Sequence, residues 1–159
     1  MTKAPFRITP VRSRDDLGAT ANLFAAYAAS LEADLGYQDF DSEIANLPGK
    51  YAPPAGELLL ARDENGTPLG CVGLRALDAG RCEMKRLFVS PCGRRLGLGR
   101  ALVVAAVETA KRLGYGEIRL DTWPTMTSAL ALYKSLGFAP VCAYYDTPVA
   151  GTIFLARPL

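Results

Sequence analysis

The sequence predicts an α+β protein with three layers, in which helices cover both faces of a mixed, mostly antiparallel central sheet of about six to seven strands. Three observations lead to this prediction. Strand-like and helical segments alternate along the chain. Three successive strand-like runs are joined by hairpin-type turns, at Asn65-Gly66 and at residues 78–80. Two apolar helical runs each end at a glycine, Gly114 and Gly137. The 159 residues are expected to form one domain, 1–159.

The first third of the chain predicts one strand, one helix and a long connection. The strand covers residues 6–11, and the helix begins after Ser13, where Ser13 and Asp16 have the spacing of a capping box. The apolar stripe of this helix consists of Leu17, Ala21, Phe24, Ala28 and Leu31. Residues 36–56 are polar and rich in proline and glycine, so we expect a lid or loop with at most one or two helical turns at 41–47.

The remaining segments complete the sheet. Strands are predicted at residues 57–62, 68–77, 81–89, 117–122, 140–145 and 152–156. Helices are predicted at residues 98–113 and 127–136. The two hairpin turns make the first three of these strands antiparallel.

Composition excludes several classes of function. The net charge of +2 is too small and too evenly spread for nucleic-acid binding. The chain has no histidine, and its four cysteines form no CxxC pair, which argues against a metal site and against Ser-His-Asp or Cys-His catalysis. No apolar run reaches the roughly 18 residues of a membrane span, and the N-terminus lacks the apolar core of a signal peptide. We therefore expect a cytoplasmic protein with no membrane partner.

A glycine loop is the strongest candidate for a binding site. Residues 94–99 read Arg-Arg-Leu-Gly-Leu-Gly and connect a predicted strand to a predicted helix. Glycines allow a ligand to approach the backbone closely, and the amides at a helix N-terminus attract anions. Arg94, Arg95 and Arg100 add positive charge. The loop therefore predicts a phosphate-containing ligand.

Two of three interpretations of this loop fit poorly. A Walker A loop requires lysine and then serine or threonine after its last glycine, but Arg100 follows Gly99. A dinucleotide-binding loop is closer, since Asp121 ends the next strand about twenty residues later. However, Leu102 stands where that motif needs glycine or alanine, and the preceding hairpins leave no room for a doubly wound sheet.

The third interpretation rests on a resemblance to the GNAT acetyltransferases. Arg94-x-x-Gly97-x-Gly99 resembles the family's acyl-CoA loop, and residues 129–138, Ala-Leu-Ala-Leu-Tyr-Lys-Ser-Leu-Gly-Phe, resemble its second signature. The resemblance covers residues 57–138. It implies a GNAT-like fold, acetyl-CoA as co-substrate, direct acetyl transfer to a primary amine of a small molecule or a protein, and a homodimer. Small acceptors are slightly favoured.

The resemblance also implies which residues hold the donor. Acetyl-CoA would lie between the strand that ends at Val89 and the strand that starts at Glu117. Its pyrophosphate would contact the loop residues Arg94, Arg95, Leu96, Gly97, Leu98, Gly99 and Arg100. Its pantetheine arm would pair with the backbone of Leu87, Phe88 and Val89, and the amide of Leu87 would face the thioester carbonyl. Family members often have asparagine where this chain has Met126, so a polar contact is expected from Thr125 or Ser128 instead.

Glu83 and Tyr133 are the candidate catalytic residues that the resemblance implies. Glu83 would accept the proton of the amine through water; the alternative is a solvated or ion-paired carboxylate. Strand alternation places Glu83 on the same side as Leu87 unless a bulge intervenes. Tyr133 would donate a hydrogen bond to the leaving sulfur; the alternative is a tyrosine packed in the core.

The acceptor site is less defined by the sequence. Asp39, Asp41 and Glu43 in the predicted lid are candidates for attracting a cationic amine, or for capping a helix. Candidate walls of the acceptor pocket are the aromatic residues Tyr27, Tyr37, Tyr51, Trp123, Tyr144 and Tyr145. Two other functions stay open: a non-catalytic module that senses acyl-CoA, and a dinucleotide-binding oxidoreductase.

Overall fold

A computed structural model describes residues 5–31 and 35–159. Its centre is one seven-stranded sheet with the order β1-β2-β3-β4-β5-β7-β6. The strands are β1 (Arg7–Pro10), β2 (Glu57–Arg62), β3 (Pro68–Ala76), β4 (Arg81–Val89), β5 (Glu117–Thr122), β6 (Ala139–Pro140) and β7 (Ile153–Pro158). The α-helices are α1 (Arg14–Ser30), α2 (Phe40–Ala45), α3 (Leu98–Arg112) and α4 (Thr127–Ser135).

The sheet is mixed and mostly antiparallel, as predicted. Strands β1 to β4 form an antiparallel meander in chain order. Strand β5 then joins β4 in parallel, and β7 pairs antiparallel with both β5 and β6. Because the two ends of the sheet come from different halves of the chain, the junction between β4 and β5 is where these halves meet.

Helices cover both faces of the sheet and divide the core into two parts. Helices α3 and α4 pack on one face, where their side chains join Leu59, Leu74 and Ile118 of the strands. Helices α1 and α2 pack on the other face, around Phe24 and Leu60. The Ser13 hydroxyl accepts from the Asp16 amide at 3.0 Å, and the Asp16 carboxylate accepts from the Ser13 amide, so the predicted capping box starts α1.

One predicted strand is wrong. Residues 140–145 do not continue as a strand, since only Ala139–Pro140 pairs with β7. Instead the rings of Tyr144 and Tyr145 both pack edge-on against Phe154 of β7, with centroid distances of 5.1 and 5.3 Å. Both tyrosines thereby lie over one face of the sheet, whereas consecutive strand residues would point to opposite faces.

The predicted lid contains more regular structure than the sequence indicates. Short 3₁₀ helices at Gly36–Gln38 and Gly49–Tyr51 flank α2. The segment packs on the sheet through Phe40 and Tyr51, both of which are buried. Within the described residues, no helix is long and apolar enough to cross a membrane.

Candidate active site

The site begins where two parallel strands separate. Strands β4 and β5 pair only over Arg81–Glu83 and Glu117–Arg119. Beyond these residues β4 continues along β3, and β5 continues along β7, so a cleft opens between the two strands. The cleft is lined by Lys85, Leu87, Asp121, Trp123 and Tyr133, among others.

A β-bulge shapes the β4 side of the cleft. The pairing of β3 with β4 shifts by one residue between Cys71 and Gly73. Arg86 stands at this shift with φ +61°, a left-handed conformation that costs a non-glycine residue about 1–2 kcal/mol. Its backbone carbonyl accepts from the Cys71 thiol at 3.5 Å, and its guanidinium binds both carboxylate oxygens of Glu43 at 2.9 and 3.2 Å. Contacts on both sides of the strand thus hold the bulge.

The bulge changes which residues share a face. Uninterrupted alternation would place Glu83 and Leu87 together. With the extra residue, Leu87 and Val89 pack toward α3 and α4, whereas Phe88 packs toward α1, edge-on to Tyr27 at 6.1 Å. Glu83 therefore lies on the face opposite the Leu87 side chain, because the bulge that was the stated exception to strand alternation is present.

Tyr133 lies between the core and the cleft. It is buried and packs edge-on against Phe138 at 5.9 Å. Its ring lines the cleft, and among the described residues its hydroxyl has no hydrogen-bond partner. Burial raises the pKa of Tyr133, and Tyr27 and Asp121 add to the effect. The hydroxyl therefore keeps its proton at neutral pH and is free to donate it in a hydrogen bond.

Glu83 is fully buried and held on both sides. Its exposed fraction is 1%, its Oε1 accepts from Arg75 Nε at 2.9 Å, and its Oε2 accepts from the Tyr144 hydroxyl at 2.6 Å. Burial raises the pKa of Tyr144, and the neighbouring Glu83 raises it further. Tyr144 therefore stays protonated and covers one carboxylate oxygen, so a proton can reach Glu83 by way of this hydroxyl.

A second buried charge cluster lies beside Glu83. Lys85 Nζ donates to Gln38 Oε1 at 3.2 Å and lies 3.9 Å from Asp121 Oδ1. The other oxygen of Asp121 accepts from the Tyr145 hydroxyl at 2.6 Å. Burial lowers the pKa of Lys85, while Glu83 and Asp121 act in the opposite direction. The cleft thus has a polar wall of alternating charge on the face of α1 and α2.

The glycine loop lies at the N-terminus of α3 and leaves it open. Gly97 is the N-cap with φ +73°. Among the described residues, no side chain caps the helix and no atom lies within 4 Å of a Cβ at this position. Arg94, Arg95, Leu96 and Gly97 are exposed. Helix amides without a partner and two exposed arginines form a site for an anion.

Comparisons with known proteins identify the family. The sequence profile described as the acetyltransferase (GNAT) family matches residues 21–138. The chain belongs to the GNAT family. It is 40% identical to an uncharacterised N-acetyltransferase of Schizosaccharomyces pombe, over 98% of this chain and 96% of that protein. It is 34% identical to an IAA acetyltransferase of Azospirillum brasilense, over 68% and 71% of the two chains.

A solved structure shows the same fold. The acetyltransferase of the GNAT family from Staphylococcus aureus superposes with a TM-score of 0.80 at 21% identity, over 96% of this chain and 98% of that one. The family match and the relatives make the protein a GNAT acyltransferase, and enzymes of this family use an acyl-CoA as co-substrate. Neither a non-catalytic sensor nor a dinucleotide-binding oxidoreductase is supported.

Binding of an acyl-CoA at the predicted positions stays a prediction, and the local structure bears on several of them. The open amides at α3 and the cleft beside them fit a pyrophosphate joined to an extended arm. The Leu98 side chain is buried in the core, so only its backbone is available to a ligand. Ser128 is exposed on the first turn of α4, and the cleft is lined there by Met126 and Ala129. The thioether of Met126 accepts from the Thr122 hydroxyl at 3.5 Å, and Met126 thus provides an apolar wall at this position.

Several site residues carry no local signal in the sequence. Arg75 and Lys85 look like ordinary strand residues, and Tyr144 was one of many candidate aromatic residues. Tyr27 and Trp123 line the cleft as the aromatic pattern suggested, whereas the side chain of Tyr37 lies outside the described part of the chain. Among the described residues, no group of cysteine, aspartate or glutamate side chains is arranged to hold a metal ion.

Proposed function

We propose that this GNAT enzyme transfers the acetyl group of acetyl-CoA directly to a primary amine of a small molecule. The observation that carries the proposal is the separation of β4 from β5, together with the open N-terminus of α3, which lies beside the end of β4. The N-terminus of α3 suits a pyrophosphate, and the cleft contains polar side chains that an incoming amine needs. Location in the cytoplasm and assembly as a homodimer stay predictions.

The loop and the bulge would hold the donor. The amides of residues 94–100 would bind the pyrophosphate, with Arg94, Arg95 and Arg100 as counter-charges. The bulge interrupts the hydrogen-bond ladder at Arg86, which favours an amide of Leu87 turned toward the cleft. Directed at the thioester oxygen, such an N–H would stabilise negative charge that develops there, a contribution of about 2.7–4 kcal/mol in serine proteases.

The amine must lose a proton before it attacks. With a pKa near 10.4, only about one alkyl amine molecule in 2,500 is neutral at pH 7. Glu83 is our candidate for the final proton acceptor, reached through water and the Tyr144 hydroxyl that donates to it. Tyr144 would receive the proton on its oxygen while it passes its own proton to Glu83, so that charge balances at each step.

The thiolate must be stabilised as it leaves. Tyr133 lines the cleft from α4, and its hydroxyl has no partner among the described residues. Since burial raises its pKa, a hydrogen bond to the sulfur is favoured over complete proton transfer. Tyr133 is therefore proposed as the donor to the departing sulfur.

A panel of amines assayed for release of free thiol from acetyl-CoA would test the proposal. We expect at least one small primary amine to release thiol and to gain 42 Da by mass spectrometry, which is the mass of one acetyl group replacing hydrogen. The same panel with the Tyr133→Phe variant controls for hydrolysis that does not depend on the site. Thiol release that does not depend on any small amine, or that requires a protein substrate, would contradict the proposal.

A further inference from the structure

Lys85 is a buried amine that has no role in the proposed reaction. It is 7% exposed, and it lines the cleft together with Leu87 and Tyr133. The three other described lysines are exposed and lie outside the cleft: Lys50, Lys111 and Lys134. Among the described residues, Lys85 is therefore the one lysine whose amine lies where an acceptor amine is expected.

The bulge at Arg86 directs Lys85 toward one side of the cleft. Lys85 Nζ donates to Gln38, and the neighbouring Arg86 binds Glu43 of α2, so both side chains point to the face of α1 and α2. Leu87 packs on the other face, with α3 and α4. Since the proposed pyrophosphate site is at the start of α3, the donor and the Lys85 amine approach the cleft from opposite faces.

Lys85 is held less tightly than the other buried cations of the site. Arg75 and Arg86 each donate to a carboxylate at 2.9 Å. By contrast, Lys85 Nζ lies 3.9 Å from Asp121 Oδ1, which is beyond hydrogen-bond distance. Burial lowers the pKa of Lys85 and outweighs the opposing effect of Glu83 and Asp121. The neutral, nucleophilic form of this amine is therefore more accessible than that of an exposed lysine.

The Lys85 amine can reach the proposed position of the thioester. Lys85 and Leu87 are two residues apart, at most about 7 Å along β4 at roughly 3.3 Å per residue. The flexible four-carbon stem of a lysine covers a similar distance. Asp121 lies beside the Lys85 amine and also raises the pKa of Tyr133, so it is within electrostatic reach of both side chains. A nucleophile and the proposed hydrogen-bond donor to the sulfur thus flank the same cleft.

We propose that Lys85 is a self-acetylation site, whose Nζ accepts the acetyl group of an acetyl-CoA bound in the cleft of the same molecule when no acceptor is present. The inference rests on the proposed function, because it requires the donor to bind there. The C–N bond forms as the C–S bond breaks, and the electron pair leaves with the sulfur. The ammonium gives up two protons, of which one ends on coenzyme A and the other in solvent. Asp121 is placed to receive the first proton through water.

Incubation with acetyl-CoA in the absence of any amine tests the proposal. We expect the protein to gain the mass of one acetyl group. Peptide mapping should place it on Lys85, at a rate at least about tenfold above that of any exposed lysine, because the cleft holds both reactants. Excess coenzyme A should suppress this reaction but not the slow modification of the exposed lysines. An unmodified Lys85, or labelling that coenzyme A does not suppress, would overturn the proposal.

A chemical reagent and unfolded protein control for the reactivity of lysine itself. Acetic anhydride needs no binding site, so it should modify Lys50, Lys111 and Lys134 before the buried Lys85. In urea, acetyl-CoA should modify Lys85 no faster than Lys111, because the cleft is lost. Equal rates at Lys85 in folded and unfolded protein would contradict the proposal.

Lys85→Arg identifies the reacting amine. This variant keeps the positive charge but removes the primary amine, so it should abolish the fast addition of an acetyl group. Lys111→Arg is the matched control, because Lys111 is exposed and outside the cleft, and it should retain the addition. A fast addition that persists in Lys85→Arg would overturn the assignment. If Lys85→Arg does not fold, peptide mapping of the wild-type protein still decides the question.

The dependence on protein concentration tests whether the transfer occurs within one molecule. With saturating acetyl-CoA, transfer within one cleft is first order, so the rate constant for Lys85 should stay the same over an about tenfold range of protein concentration. A rate constant that rises with protein concentration would assign the reaction to transfer between copies and overturn the proposal.

These measurements are separate from the test of the proposed function. Acetylation of Lys85 in a protein that acetylates no small amine would support the self-acetylation site and contradict the small-molecule acceptor. Turnover of a small amine by a protein whose Lys85 stays unmodified without that amine would support the proposed function and overturn this inference.

Discussion

Tyr133 has a hydroxyl that the fold does not use. Because this group has no partner among the described residues, Tyr133→Phe should leave the free energy of unfolding within about 0.5 kcal/mol of wild type. If the hydroxyl stabilises the leaving thiolate, kcat should fall by about 10- to 100-fold, with an unchanged Kd for coenzyme A. Single-turnover thiol release and calorimetry measure the two quantities.

The pH dependence of this variant adds a control. Burial raises the pKa of Tyr133 above the ordinary value near 10, so the hydroxyl stays protonated through the assay range. The ratio of wild-type to variant rates should then be constant between about pH 7 and pH 9. A kcat unchanged by the substitution would show that Tyr133 serves packing alone.

Glu83 and Tyr144 are expected to act in series. Glu83→Gln removes the charge that pairs with Arg75, so we expect the free energy of unfolding to fall by about 3–5 kcal/mol and the rate to fall as well. Tyr144→Phe removes one hydrogen bond to a charged group, with a smaller loss of about 1.5 kcal/mol. Both variants should lower the rate with strongly basic amines.

An amine that needs no base distinguishes catalysis from structural damage. With an acceptor whose pKa lies below the assay pH, most molecules are already neutral, so both variants should recover toward the wild-type rate. Equal impairment with weakly and strongly basic amines would assign Glu83 and Tyr144 to structure only. Urea unfolding measures the free energy of unfolding of each variant, which this comparison requires.

At the scale of elements, Gly97 and Gly99 at the start of α3 have different roles. Gly97 has φ +73°, so Gly97→Ala should cost about 1 kcal/mol in backbone strain although the space around it is open. Gly99 is helical, and a Cβ there would meet Leu132 and Val89 at ordinary distances of 3.8 and 3.9 Å. Gly99→Ala should therefore raise stability by about 0.5–1 kcal/mol.

Coenzyme A should stabilise Gly99→Ala less than it stabilises the wild-type protein. The added methyl of Gly99→Ala projects between the end of β4 and α4, where the arm of the ligand is proposed to pass. We expect a higher Tm without ligand but a smaller rise in Tm on addition of coenzyme A than for wild type. An undiminished rise in both variants would place the ligand away from this helix terminus.

At the scale of the whole molecule, a ligand in the cleft would contact both halves of the sheet. Strands β4 and β5 separate after three paired residues, and each continues into a different half. Coenzyme A at about 100 times its Kd should add about 2.7 kcal/mol of stability, a rise in Tm of about 5–11 °C. Thermal unfolding with NAD at the same concentration is the control, and an equal rise with NAD would contradict the proposed ligand.

The sequence by itself determined the features that depend on neighbouring residues. Turns at Asn65-Gly66 and Asp78, glycines after α3 and α4, and the capping box at Ser13 act over a few residues, so their pattern predicts the order and type of most elements. The glycine loop and the second signature, which predicted the family, are equally local. The wrong strand at 140–145 is the exception, because an aromatic loop and a buried strand have similar composition.

The tertiary structure alone decided how the active site is assembled. After the bulge at Arg86, each side chain of β4 points to the opposite face from the one that the sequence predicts, because alternation holds only while the hydrogen-bond ladder is unbroken. Tyr144 reaches Glu83 across 61 residues of sequence, and Glu43 binds Arg86 across 43. Such contacts produce no recognisable pattern in the sequence, because the distance between two side chains is set by how the helices and strands pack. The proposed donor loop was therefore readable from the chain, whereas the contacts around Glu83 required the fold.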